Sequence, residues 1–137
     1  MTLEKITIRA IISAKRDKVW KYYTEPEHII GWNFAAPSWH CPSASNDLKI
    51  GGRYLARMEA KDGSFGFDFD AIYTEIIEGE SFTYEFGGRL AKIDFFEKEN
   101  LTELVINFDP ETENPFELQK TGWQAILNNF KNYVETH

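Results

Sequence analysis

Two periodicities divide this chain into predicted strands and predicted helices. Residues 3–12 alternate between apolar and polar, with Ile6, Ile8 and Ile12 on one side, which predicts a half-buried first strand. Residues 114–135 instead carry apolar side chains at spacings of three, four and seven, which predicts one long amphipathic helix. Asn114 suits its N-cap and Pro115 its first helical position. The apolar stripe comprises Phe116, Trp123, Ile126, Leu127, Phe130, Tyr133 and Val134.

Two short helices are predicted after the first strand. Ser13 can cap a helix over residues 14–23, and Thr24-Glu25-Pro26-Glu27 is a capping-box pattern with an early proline. Gly31 would close this second helix. Residues 32–46 show no periodicity and contain two prolines and several serines, which predicts a long loop.

Four turn signals then predict a series of antiparallel hairpins: Asp62-Gly63, Glu78-Gly79, Gly87-Gly88 and Glu99-Asn100. Counting outward from the turns sets the register and places one apolar face along the whole sheet. The predicted pairs are Met58 with Phe67, Ala56 with Phe69, Tyr54 with Ala71, Tyr73 with Tyr84, Glu75 with Phe82, Tyr84 with Ala91, Phe82 with Ile93, Phe95 with Leu104, Ile93 with Ile106 and Ala91 with Phe108. The opposite face is mostly charged, so the apolar face needs the long helix as its cover.

Composition limits the classes of protein that this chain can represent. With 137 residues, 42% of them hydrophobic and 15% aromatic, residues 1–137 are expected to form a single domain. The net charge of −7 and the isoelectric point near 5.0 argue against nucleic acid or an anionic membrane as a partner. The single cysteine, Cys41, allows no intrachain disulfide, and the N-terminal residues do not resemble a secretory signal. We therefore expect a cytoplasmic protein.

Few residues suggest catalysis or metal binding. Asp68 and Asp70 could form a carboxylate pair, but the register places Asp68 opposite Arg57 on the wet face, which favours a surface ion pair. Adjacent His40 and Cys41 should point to opposite sides of an extended chain, which disfavours a catalytic dyad. The histidines and Cys41 lack the spacing of a zinc site. The glycine pairs Gly51-Gly52 and Gly87-Gly88 lack the neighbouring residues of a phosphate-binding loop. We expect no metal and no cofactor, and the catalytic residues, if any, stay unknown.

The aromatic face is the remaining candidate site. It could be a solid core, or it could leave a pocket between the sheet and the long helix, roofed by the loop that contains Trp32. The hydroxyls of Tyr54, Tyr73 and Tyr84 and the carboxylate of Glu75 would then orient a ligand. The candidate pocket residues are Trp32, Phe34, Trp39, Tyr54, Met58, Phe67, Phe69, Tyr73, Glu75, Tyr84, Trp123, Leu127 and Phe130.

The order of these elements resembles a known family. The stretch SAKRDKVWKYYTEPEHIIGW (13–32) is similar to the opening helix pair of the START and birch-pollen-allergen superfamily, often called SRPBCC. NDLKIGGRY (46–54), KDGSFGFDFDAIYTEI (61–76) and TGWQAILNNFKNYVE (121–135) resemble the group related to the C-terminal domain of the activator of the heat-shock-ninety ATPase. The resemblance implies an α+β helix-grip fold. It consists of an antiparallel sheet of about seven strands wrapped on a long C-terminal helix, with two short helices between strands one and two.

The same resemblance leaves three functions open, because the fold serves binders, enzymes and co-chaperones. The first is binding of a small apolar or aromatic ligand between the sheet and the C-terminal helix. The second is a cyclase- or hydrolase-like activity in the same pocket, of the polyketide cyclase or aromatase kind, although we favour a protein that is not an enzyme. The third is a co-chaperone-type module that contacts a chaperone. The protein is expected to be a monomer or a homodimer.

Overall fold

A computed structural model describes residues 4–137, which form seven strands and three helices. Residue 3, where the predicted first strand begins, lies outside the described residues. The elements in chain order are β1 (Ile6–Ile12), α1 (Arg16–Thr24), α2 (Pro26–Ile29), β2 (Trp39–Asn46), β3 (Arg53–Ala60), β4 (Gly66–Ile77), β5 (Ser81–Phe86), β6 (Arg89–Lys98), β7 (Leu101–Phe108) and α3 (Phe116–Thr136).

All seven strands belong to one antiparallel sheet. Its order is β1-β7-β6-β5-β4-β3-β2, so β2 to β7 follow one another as neighbours and β1 returns to pair with β7. The sheet curls, and the helices lie on its concave side. This arrangement confirms the predicted α+β helix-grip fold, with two short helices between the first and second strands and a long helix at the C-terminal end.

The hairpin register predicted from the turns is confirmed at nine of its ten residue pairs. The prediction that Glu75 faces Phe82 is wrong, because a β-bulge follows Tyr73 and shifts the pairing by one residue. Ile76 therefore pairs with Phe82 and Glu75 pairs with Thr83. Since a one-residue shift moves a side chain to the other face of the sheet, Glu75 is exposed.

The predicted loop over residues 32–46 is half wrong, because its second part is the edge strand β2. Trp39 pairs with Ala60, and the register shifts between His40 and Ser43, where Pro42 lies. A proline lacks the N–H that a ladder requires, and an edge strand with a bulge tolerates this. The serine- and proline-rich composition therefore hid a strand that pairs on one side only.

The helix boundaries differ by one or two residues from those predicted. Pro115, not Asn114, is the N-cap of α3, and its carbonyl oxygen accepts hydrogen bonds from the N–H groups of Leu118 and Gln119. Lys15 and Glu25 occupy the N-caps of α1 and α2, so Ser13 and Thr24 do not cap them. The Thr24 hydroxyl instead donates to the carbonyl oxygen of Trp20.

The core lies between the sheet and the two longer helices. Helix α3 lies chiefly on β1, while α1 contacts β6 and β7. Leu127, Phe130 and Val134 are the fully buried part of the α3 stripe, whereas Phe116 at its start is 40% exposed. The backbone of α3 lies closest to β1, and its Trp123 side chain reaches Phe69 on β4. None of the helices within residues 4–137 is both long enough and apolar enough to cross a bilayer.

Candidate functional site

A cavity of about 210 Å³ lies between the inner face of the sheet and α3. It extends from the loop after α2 towards the hairpin that joins β5 to β6. Its walls are mostly aromatic, with a few hydrogen-bonding groups at its ends. The lining residues are Tyr23, Trp32, Asn33, Tyr54, Met58, Phe67, Phe69, Tyr84, Arg89, Ile106, Trp123, Ile126 and Leu127.

Trp123 forms the wall of the cavity on the α3 side. Its indole ring stacks on Phe108 with the ring centroids 3.8 Å apart, and it also contacts Phe86 and Phe69 at 5.6 and 6.2 Å. On the sheet side, Phe69 packs edge-on against Tyr84. These rings hold one another at the edge-to-face and stacked spacings that aromatic groups prefer, so the wall is preformed.

Three tyrosines and one asparagine bring hydrogen-bonding groups to the end near α1. Tyr23, Tyr54 and Tyr84 are buried, and burial raises the pKa of each phenol well above its ordinary value. They are therefore neutral at physiological pH and can donate hydrogen bonds. The side-chain amide of Asn33 donates to the Tyr54 hydroxyl over 3.2 Å.

The loop after α2 holds Asn33 in place. The backbone N–H of Asn33 bonds to the carbonyl oxygen of Ile29, and the indole N–H of Trp32 bonds to the carbonyl oxygen of Tyr22. From α3, the Asn129 amide donates to the carbonyl oxygen of Trp32 over 2.8 Å. Contacts on both sides therefore orient the residue that carries the polar group into the cavity.

The structure brings eight of the predicted pocket residues to the cavity and leaves five away from it. Those that line it are Trp32, Tyr54, Met58, Phe67, Phe69, Tyr84, Trp123 and Leu127. Glu75 is on the outer face because of the bulge in β4. Tyr73 is buried, but its hydroxyl donates to Asn46 over 2.8 Å, beside the cavity rather than in it.

The other three predicted pocket residues are aromatic and pack elsewhere. Phe130 is fully buried beneath Tyr23 and Trp32, at centroid distances of 4.9 and 4.7 Å, and so belongs to the core. Trp39 contacts Phe65 and Phe67 at the sheet edge, because it begins the edge strand β2 instead of roofing the cavity. Phe34 lies beside Ala125 and Asn129 on another side of α3.

Five lining residues are absent from the predicted set: Tyr23, Asn33, Arg89, Ile106 and Ile126. Two of them could have been found from the register. Arg89 lies two residues before Ala91, and Ile106 pairs with Ile93, so both point to the same inner face of the sheet as Ala91 and Ile93. Tyr23 and Ile126 lie on predicted apolar helix faces. Asn33 follows no periodic pattern, and no signal in the sequence indicates it.

The structure supports structural roles for the polar pairs considered as catalytic. The Cys41 thiol is buried, donates to the Ser43 carbonyl oxygen over 3.4 Å, and has its pKa raised to about 11 by burial. The nearest carboxylate oxygen to His40 is that of Glu59, at 3.9 Å. Asp68 faces Arg57 across the strands as predicted, at 3.5 Å.

Within residues 4–137, one group of potential metal ligands lies at the N-cap and first turn of the short helix α2. The side-chain ligand atoms of Glu25, Glu27 and His28 lie within 4.8 Å of one another. However, Nδ1 of His28 is 3.0 Å from the Tyr133 hydroxyl, and its ring stacks on Tyr22 at 3.9 Å. The histidine therefore has a structural role in joining α2 to α1 and α3.

Comparison with known proteins identifies the family. The model of the Activator of Hsp90 ATPase homolog 1-like protein family matches residues 13–135. The solution structure of an AHSA1-like protein from Aeromonas hydrophila is 38% identical, with a TM-score of 0.91 over 96% of this chain and 92% of that one. A solution structure from Cytophaga hutchinsonii is 48% identical, with a TM-score of 0.83 over the same shares.

More distant structures share the fold alone. A crystal structure from Nitrosomonas europaea is 16% identical, with a TM-score of 0.82 over 97% of this chain and 95% of that one. A search among curated proteins found no match. The family model and the relatives from Aeromonas hydrophila and Cytophaga hutchinsonii, both more than 30% identical, nevertheless cover almost the whole chain. This chain therefore belongs to the Activator of Hsp90 ATPase homolog 1-like family, within the SRPBCC superfamily.

Proposed function

We propose that this protein binds a small apolar or aromatic ligand in the cavity between the sheet and α3. The observation that carries the proposal is the cavity of about 210 Å³ with aromatic walls and hydrogen-bonding groups at its ends. An apolar protein cavity of about 150 Å³ is enough to admit benzene. The cavity is also smaller than the roughly 300 Å³ at which drug-sized sites begin. A ligand of one ring, or of two fused rings, fits these limits.

Titration calorimetry with neutral ring compounds tests this proposal. Suitable probes are phenol, indole and 2-naphthol, with palmitate as a ligand that is too long for the cavity. We expect saturable binding of at least one ring compound at a stoichiometry of one, and no saturable binding of palmitate. If none of the ring compounds binds at millimolar concentration, the proposal is wrong.

A matched pair of variants locates the binding. Ile126 lines the cavity, whereas Asn128 lies on the exposed side of the same helix. Ile126→Trp should fill the cavity and weaken binding at least tenfold, while Asn128→Trp adds the same ring and should leave the affinity unchanged. Thermal melts of both variants establish that they fold. Equal binding by the two variants would place the ligand elsewhere.

An enzymatic function of the cyclase or hydrolase kind has less support. Acid–base catalysis needs a group that exchanges protons near the working pH. The lining residues in the described part of the chain include no carboxylate, imidazole or thiol. The lining tyrosines have raised pKa values, which suits them to orienting a ligand by hydrogen bonds. Turnover of any bound probe, followed by chromatography, would favour the enzymatic alternative.

A co-chaperone-type function is the second candidate, and an exposed aromatic group favours it. Phe65 and Phe67 are 62% and 41% exposed beside Trp39, and exposed apolar clusters often mark protein interfaces. The family model takes its description from an activator of the Hsp90 ATPase. Under this alternative, the protein should raise the ATPase rate of an Hsp90 and Phe65→Ser should abolish the effect. No change in rate and no capture at micromolar concentration would exclude it.

The location and the oligomeric state of the protein stay predictions. We propose the cytoplasm because the one cysteine is a buried free thiol, which needs no oxidising compartment. Fractionation of cells that produce the protein tests the location. Light scattering distinguishes the predicted monomer from the predicted homodimer.

A further inference from the structure

The arginine side chain of Arg89 lies on the inner face of the sheet, at one end of the cavity. Arg89 is the first residue of β6 and pairs with Phe86. Because side chains alternate along a strand, it points to the same face as the buried Ala91 and Ile93. Its side chain is half-buried and reaches the cavity wall. Among the lining residues in the part of the chain that the structure describes, Arg89 is the only charged one.

Arg89 is held in position without being paired to a carboxylate. Its guanidinium lies 4.6 Å from the ring centre of Phe86, and one N–H donates to the carbonyl oxygen of Asp109 over 3.2 Å. Among residues 4–137, no carboxylate lies within salt-bridge distance of the guanidinium. A guanidinium has five N–H donors, so most of those on Arg89 remain available.

The nearby carboxylate of Asp109 already has other partners. One of its oxygens accepts from Lys5 over 2.5 Å, and the other accepts from the backbone N–H of Leu90 over 2.9 Å. These bonds, with a smaller contribution from the charge of Arg89, lower the pKa of Asp109. Asp109 therefore orients Arg89 through its carbonyl oxygen and leaves the guanidinium free to bind an anion.

The opposite end of the cavity offers one acceptor and one donor. Asn33 is 5% exposed, and its amide nitrogen bonds to the Tyr54 hydroxyl. Its carbonyl oxygen has no donor among the described residues. Every fully enclosed side-chain oxygen or nitrogen in that part of the chain is bonded, so this oxygen is not fully enclosed, and Asn33 is one of the residues that line the cavity. The Tyr54 hydroxyl accepts from Asn33 and keeps its proton to donate.

The α3 residues that lie near the two ends, Trp123 and Phe130, are about two helical turns apart. Trp123 contacts Phe86, on which Arg89 lies, and Phe130 contacts Trp32, which precedes Asn33. Seven residues of helix rise about 10 Å. An aromatic ring with a short acid side chain at one end and a hydroxyl at the other matches this span. The hydroxyl would donate to Asn33 and accept from Tyr54.

Resting on the function proposed above, we infer that the ligand is an aromatic carboxylic acid with a hydroxyl at its far end. Its carboxylate binds the Arg89 guanidinium, and its ring packs against the side chains of Phe69 and Trp123 that line the cavity. Guanidinium and carboxylate match in shape and can form two parallel hydrogen bonds. Asn33 and Tyr54 select the hydroxyl. Neutral rings would bind in the same place with lower affinity.

Matched probes separate this inference from the function itself. The probes are 4-hydroxycinnamate, its amide, and cinnamate, which lacks the hydroxyl. We expect the wild-type protein to bind 4-hydroxycinnamate about tenfold more tightly than the amide, because charged hydrogen bonds exceed neutral ones by about one factor of ten in affinity. We also expect it to prefer 4-hydroxycinnamate over cinnamate.

Three variants assign the preferences to residues. Arg89→Met should reduce the preference for acid over amide to less than twofold, and Arg89→Lys should retain part of this preference. Arg53→Met removes an arginine from the outer face, where it pairs with Asp70, and should retain the full preference. Tyr54→Phe should weaken the preference for 4-hydroxycinnamate over cinnamate. Thermal melts control for folding.

The outcomes distinguish two failures. If the neutral rings bind but the acid binds no more tightly than the amide, or if the preference survives Arg89→Met, this inference is overturned and the binding function stands. If neither the neutral rings nor the acids bind, both are overturned.

Discussion

The indole ring of Trp123 stacks on the ring of Phe108, with the centroids 3.8 Å apart and the planes inclined by 11°. Phe108 is the last residue of β7 and is fully buried, whereas Trp123 is partly buried because its other face borders the cavity. This contact attaches the N-terminal half of α3 to the sheet. The C-terminal half is attached separately through Phe130 and Val134.

Replacing Trp123 should therefore weaken both the fold and the cavity wall. We expect Trp123→Ala to lower the free energy of unfolding by about 3 kcal/mol, at the lower end of the range for a buried tryptophan because one side of the ring is open. Denaturant melts measure this loss. Phe116→Ala is the control, since Phe116 is 40% exposed at the start of the same helix and should cost less than about 0.5 kcal/mol. Equal losses would contradict the stacked contact as the anchor.

The sheet was predictable because its turns are encoded locally. Gly87 and Gly88 both have positive φ, and Glu99 adopts a φ of 57° at the last turn, so each turn position is evident from a short motif. Two-residue turns then determine the pairing of whole strands, as Met58 with Phe67 shows. The bulge at Thr74 was not predictable, because it inserts a residue without any local signal. The strand β2 was not predictable either, because its residues show little alternation of apolar and polar side chains.

The site was less predictable than the fold because helices and loops meet the sheet through tertiary packing. The alternation of aromatic and polar residues along the strands predicted that Tyr54, Phe69 and Tyr84 face inward, and these three residues line the cavity. Tyr73 follows the same alternation and was predicted to line the cavity, but its hydroxyl instead donates a hydrogen bond to Asn46 on β2. Asn33 owes its position to contacts with α2 and α3, which no local pattern encodes.

Gly122 is a position where the helix can be improved. It lies within α3 with an ordinary helical conformation, and a Cβ built there would meet nothing within 4 Å. Gly122→Ala should raise the free energy of unfolding by about 1 kcal/mol, because alanine loses less backbone entropy on entering a helix. Denaturant melts measure the gain. A loss of stability instead would mean that another group approaches this turn of the helix.

The buried tyrosines make stability sensitive to alkaline pH. Burial raises the pKa values of Tyr23, Tyr54, Tyr73 and Tyr84 above the ordinary value of 10.0. The native state therefore holds these protons more tightly than the unfolded state does. Their contribution to stability is complete below pH 10 and is lost as the pH rises from there towards the native pKa values.

The expected slope can be measured one tyrosine at a time. Above pH 10, each of these phenols should lower the free energy of unfolding by about 1.4 kcal/mol per pH unit. Tyr84→Phe should reduce the slope by one such contribution, whereas below pH 9 its melts should not change with pH relative to wild type. Phenolate absorbance should appear for these residues only as the protein unfolds. Phenolate absorbance from all tyrosines in a protein that stays folded would contradict their burial.

Neighbouring glycines before β3 should differ in their tolerance of a side chain. A Cβ on Gly52 would lie 2.0 Å from the backbone carbonyl oxygen of Asp47, while a Cβ on Gly51 would meet nothing within 4 Å. Gly51 has a φ of +84°, so alanine there meets only backbone strain. We expect Gly51→Ala to cost about 1 kcal/mol and Gly52→Ala to cost about 3 kcal/mol, because a backbone atom cannot move aside without shifting the turn.

The larger loss at Gly52 should also reach the cavity. The carbonyl oxygen of Gly52 accepts from the backbone N–H of Tyr73, and the N–H of Gly51 donates to the carbonyl oxygen of the same residue. Displacing this turn therefore moves the start of β3, where Tyr54 lies. Gly52→Ala should weaken the binding of ring compounds, whereas Gly51→Ala should not. Calorimetric melts and titrations of the two variants test this. Equal stability of the two would show that the close approach of Asp47 to Gly52 is absent in solution.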